Sequence, residues 1–584
     1  MFFSFLANLT ILFLPFFSSN NWLQKVDHHL LSELNQSQET DFIVFMEEQA
    51  SLDFAYQLSA KLDKGRFVFE RLYHTAQRSQ ADLQTFLHLQ AAPFQSIYIY
   101  NAVYTKGDIH LVEKIAKRKD VAYIFANADL EIQLPQKQEE ASQLRSAIEW
   151  NIQNIHAPEV WEMGYTGQGV VIGGQDTGYE WDHPAIARQY RGNQTDTVIH
   201  DYSWHDAIRS FSPLNPDTIN PCGLNLDIPC DDNSHGTHTM GIMVGDDGAG
   251  NQIGVAPDAQ WIGVRNMERG KGNPMSYTEA FQWFLAPTDG SGLNPDPGMA
   301  PDAITNSWYC PDFEGCNADN RPLMELAVDN LKAAGIVVVV SAGNAGNACA
   351  TINEIPSAFP NTFAVGATDA NNNIASFSSR GPVYLVDSSL LIKPDISAPG
   401  VNIRSAFSGG NYVRYSGTSM SGPHVTGTIA LMISANPAIA GQVDSIEQIL
   451  RRTARPTFTT QDCDSLLGNQ VPNAVFGYGI LDAKAAVEEA LKFQITSTYQ
   501  LEAGTNLKIF PNPSSEQIWI KSEQGLQQAY IQLFDLQGRL ILREKLADGL
   551  SIHALDISTL AAGQYFYQLH TAGQSWTGKV QKIN

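Results

Sequence analysis

Val170-Val171-Ile172-Gly173-Gly174-Gln175-Asp176-Thr177-Gly178 is an apolar run that stops at an aspartate followed by Thr-Gly. A run without polar alternation suits a strand covered on both faces, as in a parallel sheet held between helices. Ile336-Val337-Val338-Val339-Val340 repeats the pattern. Around these runs, residues 150–492 alternate apolar strands with helices and Gly-containing loops. The alternation predicts one α/β domain of about 340 residues. Ligands of open parallel sheets sit beyond the carboxyl ends of strands, so Asp176 is well placed to act on one. A turn or helix-cap aspartate is the plain alternative.

The flanks have different patterns. Residues 22–135 mix strand runs (Asp41–Met46, Ser96–Asn101, Val121–Phe125) with helical ones (Ser79–Leu87, Leu111–Ala116), which reads as a small α+β unit. Residues 136–149 are polar and read as a linker exposed to cutting. Residues 505–584 show strand alternation broken by turn residues, the pattern of a β-sandwich. Residues 1–19 are an apolar run ending in Ser18-Ser19, read as a signal peptide although no Lys or Arg precedes Lys25.

The chain has 584 residues, 43% hydrophobic and 17% charged, which affords a large core and excludes wholesale disorder. Its net charge of −24 argues against nucleic acid as the main partner, since neutralising phosphates needs clustered Lys and Arg. Six cysteines fit an oxidising compartment. Cys222 and Cys230 bracket one loop, and Cys310 and Cys316 another. Cys349 and Cys463 remain by subtraction, with buried free thiols as the alternative. No C-x-x-C spacing suggests zinc.

Two further motifs carry chemistry. Asn233-Ser234-His235-Gly236-Thr237-His238 places two imidazoles at i and i+3, but the glutamate of a metalloprotease helix is absent. Gly417-Thr418-Ser419-Met420-Ser421-Gly422-Pro423-His424 presents a hydroxyl near a helix N-terminus, where backbone N–H groups favour developing negative charge. A helix-capping serine is the alternative. The chain order Asp176, His235, Ser419 differs from that of the α/β-hydrolases.

These motifs, in this order, resemble those of the subtilisin-like serine peptidases. Trp150–Gln153, Gly164–Val170 and Asn306–Pro311 resemble the bacillopeptidase F-like branch in particular. Gln175 departs from the small or apolar residues commoner before the aspartate. The resemblance implies an Asp176–His235–Ser419 triad, with Asn344 in Ser341-Ala342-Gly343-Asn344 as oxyanion donor. It implies that Ser307-Trp308-Tyr309 and Ser341-Ala342-Gly343 line the substrate pocket, although Trp308 and Tyr309 are bulky there. Glu354 would sit near the pocket floor and favour Lys or Arg before the cut bond; a solvated loop glutamate is the plainer reading. No cofactor is required by the resemblance, and a structural calcium is compatible with it: oxygen-rich loops abound, although no segment has the spacing of an EF-hand loop.

Residues 22–135 resemble the inhibitory propeptide of such enzymes, and residues 505–584 the C-terminal sorting domain of the type IX secretion system. The fold expected is therefore a subtilisin-like parallel sheet flanked by helices, between an α+β propeptide and a C-terminal β-sandwich. The partners implied are protein or peptide substrates, the chain's own propeptide as an intramolecular inhibitor, and the secretion machinery. The location implied is secreted or at the cell surface, reached through the periplasm and outer membrane. A catalytically silent surface-binding protein on a peptidase scaffold is the competing reading.

Overall fold

The computed structural model describes residues 21–131, 139–141, 148–194, 197–308, 321–385, 389–494, 507–522, 526–535, 539–550, 552–571 and 575–583. The leader 1–19, Tyr309, Cys310 and Cys316 lie outside the described residues.

The N-terminal unit runs α1 (His28–Gln36), β1 (Thr40–Met46), α2 (Lys61–Ser79), α3 (Ala81–Leu89), β2 (Phe94–Ile97), β3 (Ala102–Gly107), α4 (Ile109–Ala116), β4 (Val121–Ala126). Its antiparallel sheet has the order β2-β3-β1-β4. Phe42 and Val44 of β1 pack with Leu30, Leu83, Leu87, Val112 and Ile115, so the unit's own helices cover that face. Ile43, on the other face, joins Tyr100 and Phe125 in a cluster that includes Tyr277, Phe281 and Phe284 of the central region. Burial of both faces explains why β1 reads as a continuous apolar run. The strand expected over Ser96–Asn101 ends instead at Ile97, and Tyr98–Asn101 turn. The Tyr98 and Ile99 N–H groups donate to Gln282 Oε1 at 2.7 and 3.2 Å. Tertiary contact thus satisfies donors that a longer strand would have used.

Two short strands follow. These are β5 (Leu130–Glu131) and β6 (Glu139–Ala141), and β6 falls within the stretch read as an exposed linker. Then come α5 (Trp150–Asn154), α6 (Ala157–Glu162), β7 (Val171–Asp176), β8 (Trp204–Asp206), α7 (His235–Val244), β9 (Gln260–Arg265), β10 (Lys271–Gly272), α8 (Pro274–Leu285), β11 (Ala303–Asn306), α9 (Arg321–Ala333), β12 (Val337–Ser341), β13 (Phe363–Thr368), the hairpin β14 (Val383–Tyr384) and β15 (Leu390–Leu391), β16 (Ile396–Pro399), β17 (Ile403–Phe407), β18 (Asn411–Tyr415), α10 (Thr418–Ala435), α11 (Val443–Thr453) and α12 (Ala483–Ala490).

Seven strands form a parallel sheet in the order β16-β13-β12-β11-β7-β9-β8. Both predicted apolar runs are central strands, and every residue of β12 is buried. The fold is the subtilisin-like α/β arrangement expected. β7 is flanked by β9 on one side and β11 on the other, so the chain reverses its direction across the sheet there. Open parallel sheets bind their ligands at such a reversal, here the carboxyl ends of β7 and β11. β5 pairs antiparallel with β10, and β6 extends the β17–β18 hairpin. Part of the expected linker is therefore hydrogen-bonded into a sheet.

The tail holds β19 (Leu507–Phe510), β20 (Gln517–Ser522), β21 (Tyr530–Phe534), β22 (Leu540–Lys545), β23 (Ile552–Asp556), β24 (Gly563–His570) and β25 (Ser575–Lys582). They form sheets β19-β20-β23 and β22-β21-β24-β25, packed through Ile518, Ile520, Ile531, Leu533, Leu555 and Leu569. Disulfides join Cys222 to Cys230 and Cys349 to Cys463. Among the described residues, no helix is long and apolar enough to cross a membrane.

Candidate active site

Asp176 ends β7 and His235 begins α7. Asp176 Oδ1 lies 2.7 Å from His235 Nδ1, and both side chains are 1% exposed. Gly236 makes this approach possible: a Cβ there would fall 2.1 Å from Gly178 O and 3.0 Å from Asp176 Cβ. Any side chain at 236 would push the helix start off the strand end. Ser234, just before the imidazole, has φ +79°, a left-handed conformation that costs a non-glycine residue about 1–2 kcal/mol. Asp231 holds that turn. Its Oδ1 accepts the Ser234 and Asn233 N–H groups and the Thr177 hydroxyl; its Oδ2 accepts the Thr237 N–H and hydroxyl. Burial raises the Asp231 pKa, and the Thr237, Asn233 and Ser234 donors pull it back. Tyr179 is buried nearby. Its pKa stands well above the usual phenol value, through burial and then the Asp176 and Asp231 carboxylates.

Ser419 stands in the first turn of α10, whose N-cap is Gly417. It is not the capping serine of the plain reading. α10 packs beside α7, with Met420 and Ile242 in one cluster. Ser419 Oγ donates to Ser307 O at 3.3 Å, and Ser307 Oγ donates to Ser419 O at 3.0 Å. This reciprocal pair ties the carboxyl end of β11 to the start of α10. His235 Nε2 is buried and has no hydrogen-bond partner among the described residues. The Asp–His bond is therefore made, while the serine hydroxyl is turned to Ser307.

Asn344 follows β12 at the same edge of the sheet. Its Oδ1 accepts the Thr418 N–H and the Thr418 hydroxyl, each at 3.0 Å. A backbone N–H can only donate, so the amide oxygen must face Thr418 and its NH₂ must face away. Thr418 Oγ1 in turn accepts the Gly343 N–H at 3.2 Å.

Of the residues expected at a substrate pocket, Ser307, Ser341, Ala342 and Gly343 are buried at the ends of β11 and β12. Trp308 is 1% exposed and stacks on Tyr277, with centroids 3.9 Å apart. Its bulk is taken up by the core. Glu354 is half-buried at a turn, where its carbonyl accepts the Ser357 hydroxyl at 2.8 Å. Among the described residues, no group of three or more His, Cys, Asp or Glu side chains is arranged to hold a metal ion. His238, the second imidazole of the α7 motif, lies 3.2 Å from Ile403 O. Burial, reinforced by His235, pushes its pKa down to about 3. His424 is likewise pushed down to about 4 by burial, with Nδ1 2.8 Å from Met420 O. Both are neutral structural imidazoles.

Three features escaped the sequence reading. One is the Asp231 staple: the N-cap is Ser234, so Asp231 stands outside the position at which a capping residue is read from sequence. Another is Thr418 as the orienter of Asn344, for which the motif holds no local sign. The third explains Gln175. Its Nε2 donates to Asn306 Oδ1, and its Oε1 accepts Asn266 Nδ2 at 2.7 Å. Asn306 Nδ2 donates on to Val339 O at 3.0 Å. This chain of amides links the ends of β9, β7, β11 and β12, and so satisfies polar groups whose burial would otherwise be costly.

Sheet order and the Asp–His pair define a subtilisin-type architecture, and sequence comparison agrees. Residues 167–479 match the subtilase family, and the chain belongs to it. Residues 508–583 match a secretion system C-terminal sorting domain, which makes this an exported chain, secreted or held at the cell surface. Bacillopeptidase F of Bacillus subtilis (strain 168) is 33% identical over 504 residues, covering 80% of this chain. The chain spans only 33% of the length of that relative. An alkaline protease of Alkalihalobacillus alcalophilus is 26% identical over 458 residues, covering 78% of this chain and 93% of the relative. The crystal structure of the epidermin leader peptide processing serine protease from Staphylococcus aureus has a TM-score of 0.53 at 17% identity. It covers 78% of this chain and all of that one, and it shares the fold.

Proposed function

We propose that the protein is a serine endopeptidase, made with a signal peptide (1–19), a propeptide (22–135), a processing linker (136–149), a peptidase domain (150–492) and a sorting domain (505–584). The observation that carries the reading is the buried 2.7 Å Asp176–His235 pair, with Nε2 unoccupied beside the helix that bears Ser419. On this reading the Ser419 hydroxyl leaves Ser307 O and donates to His235 Nε2. His235 accepts the hydroxyl proton as Oγ attacks the peptide carbonyl, and Asp176 stabilises the imidazolium. The alkoxide forms between Asn344 Nδ2 and the Ser419 N–H, which belongs to a helix turn whose donors lack intrahelical acceptors. The proton then passes to the leaving amine, and water hydrolyses the acyl-enzyme. Ser307, Trp308, Tyr309, Ser341, Ala342 and Gly343 shape the substrate-binding edges, and Glu354 is the candidate for a basic preference. No metal enters these steps.

The propeptide role rests on how the N-terminal unit engages the peptidase. Asn127 Oδ1 accepts the Met275 N–H at 2.8 Å, and the Asp129 carboxylate accepts Asn273 Nδ2 at 3.1 Å, both at the start of α8. Negative charge there meets the positive end of the helix dipole. The exit strand β5 occupies the edge of β10 as a bound peptide would. A serine-directed fluorophosphonate probe tests the assignment. The adduct is expected on Ser419 and absent from Ser419→Ala. Labelling elsewhere, or none in the matured protein, would overturn it.

A further inference from the structure

The tail sheet β19-β20-β23 is apolar on both faces. Ile518 and Ile520 of β20 point into the tail's own core. Trp519, between them, faces the other way, yet it is only 1% exposed. Phe510 and Ala554 are its cross-strand neighbours on that outer face. The cover comes from the N-terminal unit. Phe67 of α2 lies 4.8 Å from Trp519 between ring centroids, and Phe54 stacks on Phe510 at 4.5 Å. A polar rim surrounds these rings. Lys521 pairs with Asp63, and Arg71 donates to Gln517 Oε1 at 3.0 Å, with Glu516 Oε2 at 3.8 Å. Aromatic rings buried at the centre with ion pairs at the edge are the anatomy of a specific interface. Alternation alone predicts a solvent-facing Trp519, open to an external ligand; its partner is instead part of the same chain.

We propose that the N-terminal unit is the docking platform of the sorting domain. It holds the tail through α2 and the Phe54 turn, and its departure uncovers the Phe510–Trp519 face and frees the tail. One removable segment thereby controls the presentation of the other. The release, unlike the docking, rests on the reading of the N-terminal unit as a propeptide.

The test uses the full chain carrying Ser419→Ala, with a site for an external sequence-specific protease inserted between residues 499 and 500. After cutting, the tail is expected to co-elute with the rest of the chain at micromolar concentration. Asp63→Lys and Lys521→Asp should each weaken retention at least tenfold, and the two together should restore it. Phe54→Ala, on an element outside the tail, should also release it without touching the tail's own core. A cut tail that separates from the otherwise unaltered chain, or a charge exchange that fails to restore retention, overturns the docking. A catalytically competent chain that sheds residues 22–135 and still elutes with the cut tail overturns the release. A chain with Ser419 intact that proves inactive would count against the peptidase reading and, with it, the release, but not against the docking, because the Ser419→Ala result does not depend on activity.

Discussion

Thr418→Val isolates the part of the proposed oxyanion site that is hardest to see in sequence. The hydroxyl is one of two donors that fix Asn344 Oδ1, the other being the Thr418 N–H, each at 3.0 Å. Removing it leaves the amide held by one bond. A net loss of about 1 kcal/mol in holding energy corresponds to roughly fivefold in rate if it is felt wholly in the transition state. Deleting the corresponding amide donor altogether costs about 10²–10³ in subtilisin, so Asn344→Ala should be the larger effect. The assay is steady-state hydrolysis of a peptide substrate by the matured enzyme, with kcat and KM resolved. The expected result is a fall in kcat of about fivefold with KM little changed, since the alkoxide exists only in the transition state. Thr418→Ser should retain near-full activity. In the Asn344→Ala background, Thr418→Val should add nothing. A full fivefold loss persisting there would mean that Thr418 acts on its own, and a change confined to KM would mean that it shapes the ground state. Either result refutes the reasoning. Gly343 N–H also loses its acceptor, so a stability loss of about 1–3 kcal/mol should accompany the change and is read separately in Ser419→Ala protein.

Gly236→Ala should displace His235, because the new methyl would lie 2.1 Å from a backbone oxygen; a loss of about 1–3 kcal/mol in denaturant unfolding, with activity falling further, is the expected outcome, and an unchanged Tm and kcat would contradict it. Loss of the Cys349–Cys463 bridge, which closes a separation of 114 residues, should destabilise by about 5 kcal/mol against about 2.5 kcal/mol for Cys222–Cys230 at 8 residues, measured on alanine pairs; the reverse order would sink the loop-entropy argument. Glu70 lies on the α2 face that carries Asp63 and Phe67, and burial, only partly offset by Arg66, raises its pKa from 4.5 to about 7. The folded chain therefore binds more protons than the unfolded chain between those values, so Ser419→Ala protein should lose stability as pH rises through that window, by about 3 kcal/mol at the upper limit. Glu70→Gln should flatten the profile, and a slope unaltered by that substitution would rule the group out. Terminal sequencing of the matured enzyme should find its first residue after Glu131 and no later than Glu149, because β5 lies on β10 and α5 begins the peptidase at Trp150; a terminus inside β7 would refute the domain assignment.

Local pattern carried much of the architecture. The unbroken apolar runs at Val170 and Ile336 announced strands covered on both faces, since burial on two sides leaves no polar alternation. Asp176, His235, Asn344 and Ser419 were legible as candidates because each stands in a glycine-bearing motif at an element's end. What lay beyond reach were partners set by long-range packing. The stretch Ser96–Asn101 looked like one strand, but Gln282 on a distant helix draws its second half into a turn. Trp308 looked too bulky for a pocket edge, and only the fold shows its ring stacked on Tyr277; nothing near Trp519 in the chain announces that Phe67 covers it.

The sequence by itself determined the class of sheet, the export tail and the residue types of the candidate site, because periodicity and turn chemistry act over a few neighbouring residues. The tertiary structure alone decided that Asp176 meets His235 across 59 residues, that Thr418 orients Asn344 across 74, and that Lys521 reaches Asp63 across 458. Contacts at such separations follow from which strand ends the sheet order brings side by side and which faces remain to be covered, and no short window of sequence records either.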